Sequence, residues 1–174
     1  MKKTKTLLFS LALITLLGFN NATYAKDNFS LDNEAKTITY TVEGTSIETL
    51  DNGDYIETVI SSEPSLLNNI SALSTSKTIT KTKTTYYKNS SGSIMWSVSI
   101  KATFTYNGST SKCTSCSHST TAPSKSWSIK SCTSSKSGNK ATAKAIATHT
   151  DSDGSKYNIT KNVTISCSPS GKVS

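Results

Sequence analysis

The sequence predicts an all-β protein: an antiparallel β-sandwich of immunoglobulin-like type, preceded by an acidic β-hairpin segment. Apolar and polar residues alternate through most of the chain after residue 76, and turn-forming residues recur between these stretches at short, even spacing. No stretch with a helical hydrophobic period competes with them. Large apolar residues are few, and no leucine follows Leu73, so we expect disulfides to support a thin core.

The clearest strand is residues 94–106, where apolar residues occupy every second position. Seven successive matches to a period of two predict a long strand with one buried face. The residues on that face are Ile94, Trp96, Val98, Ile100, Ala102, Phe104 and Tyr106. Before it, residues 78–88 form a strand of threonine and lysine. We place this strand at a sheet edge, because lysines discourage edge-to-edge pairing.

Three further regions complete the predicted sandwich. Residues 112–120 and 125–133 read as a hairpin around Ala122-Pro123-Ser124. In residues 141–147 alanine occupies every second position, which predicts close approach of another layer, since alanine is a poor strand former. The last strand is residues 156–167, after a turn at Asp151-Ser152-Asp153-Gly154.

The N-terminal quarter predicts an exported protein. Basic residues, an apolar run of about 13 residues and small residues at Thr23 and Ala25 occur in the order of a signal peptide. We expect cleavage after Ala25, which N-terminal sequencing of the exported protein checks. The predicted organisation is a signal peptide at 1–25, an acidic segment at 26–63, a linker at 64–76 and a basic domain at 77–174.

Charge divides the mature chain into two parts. Residues 26–63 carry nine acidic residues and two lysines, a balance of −7, whereas residues 64–174 carry fourteen lysines and two aspartates, a balance of +12. The acidic part contains a weak strand at residues 36–43. It also contains a hairpin of residues 47–51 and 54–60 around Asn52-Gly53, a pair that favours a type I′ turn. The two parts are expected to neutralise each other.

Four cysteines lie in the basic domain, and export favours disulfides over a four-thiolate zinc site or a redox Cys-x-x-Cys pair. Cys116 and Cys132 are equally distant from Ser124, the middle of the predicted hairpin loop, so they can face each other. Cys113 then pairs with Cys167, closing a loop of about 55 residues worth about 3 to 4 kcal/mol. These two disulfides are our prediction.

Other candidate motifs favour structural interpretations. His118 and His149 are the only histidines, and we interpret them as solvated strand residues rather than metal ligands or catalytic groups. Asp151-x-Asp153-Gly154 is part of a calcium-loop pattern, but position 162 holds asparagine in place of the glutamate ligand. We therefore expect a turn there, no catalytic residue, no metal and no cofactor.

Short motifs along the mature chain resemble a family of uncharacterised small secreted proteins of low-GC Gram-positive bacteria. They lie, in order, at residues 50–56, 91–92, 96, 104–108, 113–114, 127, 137–139 and 167–172. The resemblance implies an exported β-rich fold and supplies no catalytic or binding residue. It also implies that cysteines matching Cys113 and Cys167 are usual in the family, whereas Cys116 and Cys132 are additions here.

The function indicated is secreted, non-enzymatic binding at the cell envelope. The lysines, with Tyr86, Tyr87 and Trp127, suit an anionic envelope polymer or glycan better than nucleic acid, because the protein is exported. The simpler interpretation is a charged surface that keeps the domain soluble. The alternative function is a bacteriocin-like effector with a removable acidic pro-region. A hydrolase has less support, since the acids of the basic domain lie in one turn.

Overall fold

The computed structural model describes residues 41–62 and 76–174. The signal peptide, the start of the acidic segment and nearly all of the predicted linker lie outside the described residues. Eight strands make up the regular structure of the described part: β1 (Thr41–Thr49), β2 (Tyr55–Ser62), β3 (Lys77–Lys88), β4 (Ile94–Tyr106), β5 (Ser111–Thr121), β6 (Trp127–Ser137), β7 (Lys140–Thr150) and β8 (Lys156–Ser166). No helix long and apolar enough to cross a bilayer occurs within these two ranges.

The strands form two antiparallel sheets packed face to face, which confirms the predicted all-β sandwich. One sheet has the order β1-β2-β3-β4-β5 and the other β6-β7-β8. Within each sheet every strand pairs with its neighbour in sequence, so both sheets are meanders. Immunoglobulin domains connect their strands by Greek keys, and the connectivity here is simpler. The acidic hairpin is continuous with the basic region, because β2 pairs with β3 over eight residues.

The core is built around β4, as the alternation of apolar residues predicts. Val98, Ile100 and Phe104 are wholly buried, and they face the alanines of β7 and the end of β8. The alanines at 141, 143, 145 and 147 are at most 1% exposed. Their short side chains allow the second sheet to approach closely, which confirms the layer predicted from them.

The prediction that residues 78–88 form an edge strand is wrong. The corresponding strand β3 lies in the middle of its sheet, between β2 and β4. Lysines can lie there because the acidic hairpin supplies partners. Lys81 is buried and contacts Glu43, and Lys88 Nζ lies 2.5 Å from Glu57 Oε2. The edge strands of this sheet are β1 and β5.

The prediction that residues 112–120 and 125–133 pair as a hairpin is also wrong. The corresponding strand β5 pairs with β4, and β6 pairs with β7 in the other sheet. Residues 122–126 therefore carry the chain from one sheet to the other. The two strands still run side by side where the sheets meet, since His118 Nδ1 lies 3.0 Å from Ser134 Oγ.

The hairpin around Asn52-Gly53 is confirmed, but its turn differs from the type I′ turn predicted. The Gly53 N–H donates to Leu50 O, and the Leu50 N–H donates to Asp54 O. Glycine thus occupies the fourth turn position, where φ is +81° and a side chain would be strained. The same bonding pattern recurs at residues 89–93, 151–155 and 168–172. The aspartates of the 151–155 turn are turn residues, as expected.

Candidate functional site

The meander places the loops of both sheets at two opposite ends of the sandwich. One end gathers the turns 50–54, 89–93 and 151–155 and the crossover 122–126. The other gathers the loops 107–110 and 138–139 and the C-terminal residues 167–174. A backbone bond from Gly108 N to Pro169 O ties the two sheets at the second end, and one from Thr150 N to Ser126 O extends the β6–β7 ladder into the crossover. The charges of the described residues segregate between these ends.

The second end, which we call the lysine end, carries five exposed lysines where strands begin or stop. Its loops and strand ends hold no aspartate or glutamate among the described residues; the nearest, Glu43, contacts buried Lys81. Like charges on one small surface attract a polyanion and repel cations. These lysines are Lys77, Lys112, Lys136, Lys140 and Lys172.

The first end, which we call the carboxylate end, carries Asp51, Asp54, Asp151 and Asp153 in its turns. The two sheets contribute two aspartates each, so the negative charge extends across the whole end. Its exposed lysines are Lys125 and Lys156. The molecule is therefore polarised along the strand direction, which neither the charge balance nor the order of charges along the chain reveals.

Aromatic side chains fill the interior below the carboxylate end. The Trp127 ring lies between Tyr87, Trp96 and His149, with centroid distances of 5.2, 6.0 and 4.7 Å. The Tyr87 hydroxyl donates to Asp54 Oδ2 at 3.0 Å, and burial together with this carboxylate raises the pKa of Tyr87. Tyr87 and Trp127, predicted to help bind a polymer, are thus core residues far from the lysine end.

The structure separates the two histidines. His118 is exposed on β5, as expected of a solvated strand residue. The same interpretation of His149 is wrong, because its ring packs between Trp127 and Tyr157 and its Nδ1 lies 3.1 Å from Asp151 Oδ1. Among residues 41–62 and 76–174, no three His, Cys, Asp or Glu side chains gather into a possible metal site.

All four cysteines lie on core-facing positions, and a β-bulge explains two of them. Three residues apart on a regular strand, Cys113 and Cys116 would face opposite sides. Thr114 is an extra residue in the β4–β5 ladder, so Cys113 lies opposite Phe104 and Cys116 opposite Ala102. Burial, together with the adjacent Cys116 thiol, raises the pKa of Cys113. A raised pKa keeps this thiol protonated at neutral pH and slows its reactions.

Cys113 and Cys167 flank the same turn at the lysine end. The Cys113 N–H donates to Gly138 O at 2.8 Å, and the Cys167 N–H donates to Asn139 O at 3.1 Å. Asn139 also donates its side-chain amide to Cys167 O. Both residues are buried, and no disulfide joins any of the four cysteines in the structure. Their placement around consecutive carbonyls supports the predicted pair, which stays a prediction.

The predicted pairing of Cys116 with Cys132 rested on a hairpin that the structure does not contain. The His118–Ser134 contact fixes how β5 and β6 run past each other. From that contact Cys116 lies two residues toward the lysine end and Cys132 two residues toward the carboxylate end. Their offset along the strands is about 13 Å, well beyond the Cα separation of about 7 Å that a disulfide tolerates.

We expect peptide mapping of the oxidised protein without reduction to recover Cys113 linked to Cys167. Replacing either residue by serine should lower the free energy of unfolding by about 3 to 4 kcal/mol. Replacing both residues should lower it by no more than a single replacement does, because the same loop closure is lost in each case. Cys132→Ser is the matched control. A Cys116–Cys132 peptide, or equal effects of all three single substitutions, contradicts this assignment.

Comparison of the chain with models of protein families, with curated proteins and with solved structures gave no match.

Proposed function

We propose that the protein is a secreted, non-enzymatic binding protein that holds an anionic polymer or glycan of the cell envelope at its lysine end. The observation that carries this proposal is the gathering of five exposed lysines, from both sheets, at one end of the sandwich. Secretion is inferred from the predicted signal peptide, and the resemblance to secreted Gram-positive proteins agrees with it.

The chemistry of these residues suits a repeating charge rather than one precise anion. The protein has no arginine, so its lysine end offers compact point charges and lacks the planar fork that holds a single phosphate or carboxylate in two bonds. Exposed lysines on different strand ends can each contact a different charged unit of a flexible polyanion. Binding of this kind weakens as salt shortens the Debye length to about 8 Å.

The acidic hairpin supports the proposal by removing competing positive charge elsewhere. Glu43 and Glu57 contact Lys81 and Lys88 of β3, and Glu48 lies 3.9 Å from Lys161 of β8. Of the nine exposed lysines in the described residues, five lie at the lysine end. Because β2 completes the ladder of β3 over eight residues, the hairpin has a structural role. That role favours the binding protein over an effector whose acidic pro-region is removed.

The proposal is tested with two variants of equal net charge. The first replaces Lys112, Lys136, Lys140 and Lys172 by glutamine, and the second replaces Lys125, Lys130, Lys144 and Lys156. We expect the first to bind purified anionic wall polymer more than about tenfold more weakly at low salt, since each lysine near an anionic surface contributes about 1 kcal/mol. The second should bind nearly as the parent protein does.

Equal losses in the two variants would show that net charge alone drives binding and that the lysine end has no special role. Absence of any binding to the wall polymer at low salt would overturn the proposed function itself. Circular dichroism and thermal unfolding of both variants check that the fold is retained.

A further inference from the structure

A cavity of about 180 Å³ lies between the two sheets near the carboxylate end. Leu50 and Ile56 of the acidic hairpin form one side, Tyr87 and Trp96 the back, and Ile159 of β8 the opposite wall. The cavity is separate from the lysine end, so nothing proposed below depends on polymer binding.

The cavity follows from the unequal widths of the sheets. β8 is the last strand of the three-stranded sheet and packs against β3. The five-stranded sheet continues past β8 through β2 and β1. Ile56 on β2 pairs in register with Tyr87, so its side chain projects on the face that β8 only partly covers. Half-burial of Ile56 and Ile159 agrees with this arrangement.

The wall of the cavity is largely apolar, and the polar groups of its lining residues are mostly buried or bonded. Trp96 is 2% exposed, and its indole N–H meets no acceptor among the described residues. The other polar groups of the wall are occupied: Thr85 bonds Thr58 at 3.0 Å and the Tyr87 hydroxyl donates to Asp54. A buried donor without an acceptor is costly, by about 1 to 3 kcal/mol. Because that N–H is itself buried, a ligand in the cavity packs against the Trp96 ring without reaching the nitrogen.

Lys161 supplies positive charge at the same cavity. Its only ion-pair partner in the described part of the chain is Glu48, at 3.9 Å, and the Glu48 side chain is 68% exposed. A contact of that length with a solvated carboxylate is readily exchanged for a better one.

We propose that this cavity binds a small carboxylate with an apolar body of about eight carbon atoms. A cavity of about 150 Å³ lined by apolar side chains holds a benzene molecule, and this one is slightly larger. The apolar body fills the space between Ile56, Trp96 and Ile159. The carboxylate oxygens accept hydrogen bonds from the Lys161 ammonium, in place of its long contact with Glu48.

The test is titration of the full mature protein with octanoate, followed by calorimetry and by the two tryptophan indole signals in nitrogen-15 spectra. The sequence has two tryptophans, so Trp96→Phe assigns the signals. We expect saturable binding that shifts the Trp96 indole signal more than that of Trp127. Octylamine and octanol, which share the apolar body, should bind more weakly than octanoate.

Lys161→Gln should weaken octanoate binding by about tenfold, the contribution of a hydrogen bond to a charged group. Lys144→Gln, which removes the same charge from the outer face of β7, is the matched control and should bind as the parent does. Ile159→Phe, which fills the cavity, should abolish binding. The variant that neutralises four residues of the lysine end should bind octanoate normally, so failure here and failure of the proposed function are distinguishable.

Three results would each overturn the inference. One is the absence of saturable binding up to the solubility of octanoate. Another is equal affinity for octanoate and octylamine, which would remove the role of Lys161. The third is binding that leaves the Trp96 signal unmoved or survives Ile159→Phe, which would place the ligand elsewhere.

Discussion

Deletion of residues 26–63 is expected to lower the melting temperature by more than about 10 °C and to raise affinity for anionic polymers. The deletion removes the eight-residue ladder between β2 and β3, the packing of Ile56 and the partner of buried Lys81. Leaving a buried charge unpaired typically costs about 3 to 5 kcal/mol, and about 2 to 4 °C are lost per kcal/mol in a protein of this size. Differential scanning calorimetry and binding at matched salt measure the two effects.

A shorter deletion provides the control. Removing residues 26–40 takes away Asp27, Asp32 and Glu34 but leaves β1 and β2 in place. It should affect the melting temperature much less than the longer deletion does. If the longer deletion raises affinity without loss of stability, the acidic segment behaves as a removable pro-region. If neither property changes, the ion pairs between hairpin and basic region contribute nothing measurable.

Phe104→Ala is expected to destabilise the protein by about 3 to 5 kcal/mol, the usual cost of removing a buried aromatic ring. Phe104 is wholly buried near the end of β4, opposite Ile79 on one side and Cys113 on the other. Neighbouring side chains sit on rigid strands and cannot collapse into the space. Urea unfolding of the parent and the variant gives the difference.

Thr105→Ala is the matched control, because it changes the next residue of the same strand on the outer face. Its expected cost is below about 1 kcal/mol, as for most surface substitutions. A similar loss for both variants would mean that the ladder of β4, rather than the inward face, limits stability. If Phe104→Ala lowered stability only slightly, the neighbouring core side chains would have moved into the space left by the ring.

The alternation of side chains predicted much of the fold. The inward face of β4 from Trp96 to Phe104 was predicted residue by residue, because a period of two in a half-buried strand records which side is apolar. The alanine positions of β7 likewise predicted a closely packed layer. Such patterns are local, because the residues of a single strand are enough to show which of its two faces is buried.

The choice of partner strands was harder to predict, because it depends on pairs of distant segments. Lysines on β3 suggested an edge, yet Glu43 and Glu57 make an interior position possible by meeting those lysines. The bulge at Thr114 turned Cys116 to the core without any glycine to mark it. The cavity beside Trp96 arises from the difference between a five-stranded and a three-stranded sheet, which no local pattern records.

The separation of lysines from carboxylates along the strand axis gives the molecule an electric dipole moment parallel to its strands. A charged surface attracts one end and repels the other, so the torque aligns the strands perpendicular to an anionic layer before contact is made. Proteins anchored in this way display Asp51, Asp54, Asp151 and Asp153 outward. Each molecule carries more lysines than carboxylates in its described residues, so a bound layer lowers the negative charge of the surface as it forms. If the protein binds an anionic polymer as proposed, a single layer of molecules with one common orientation is therefore the collective behaviour that this polarity favours.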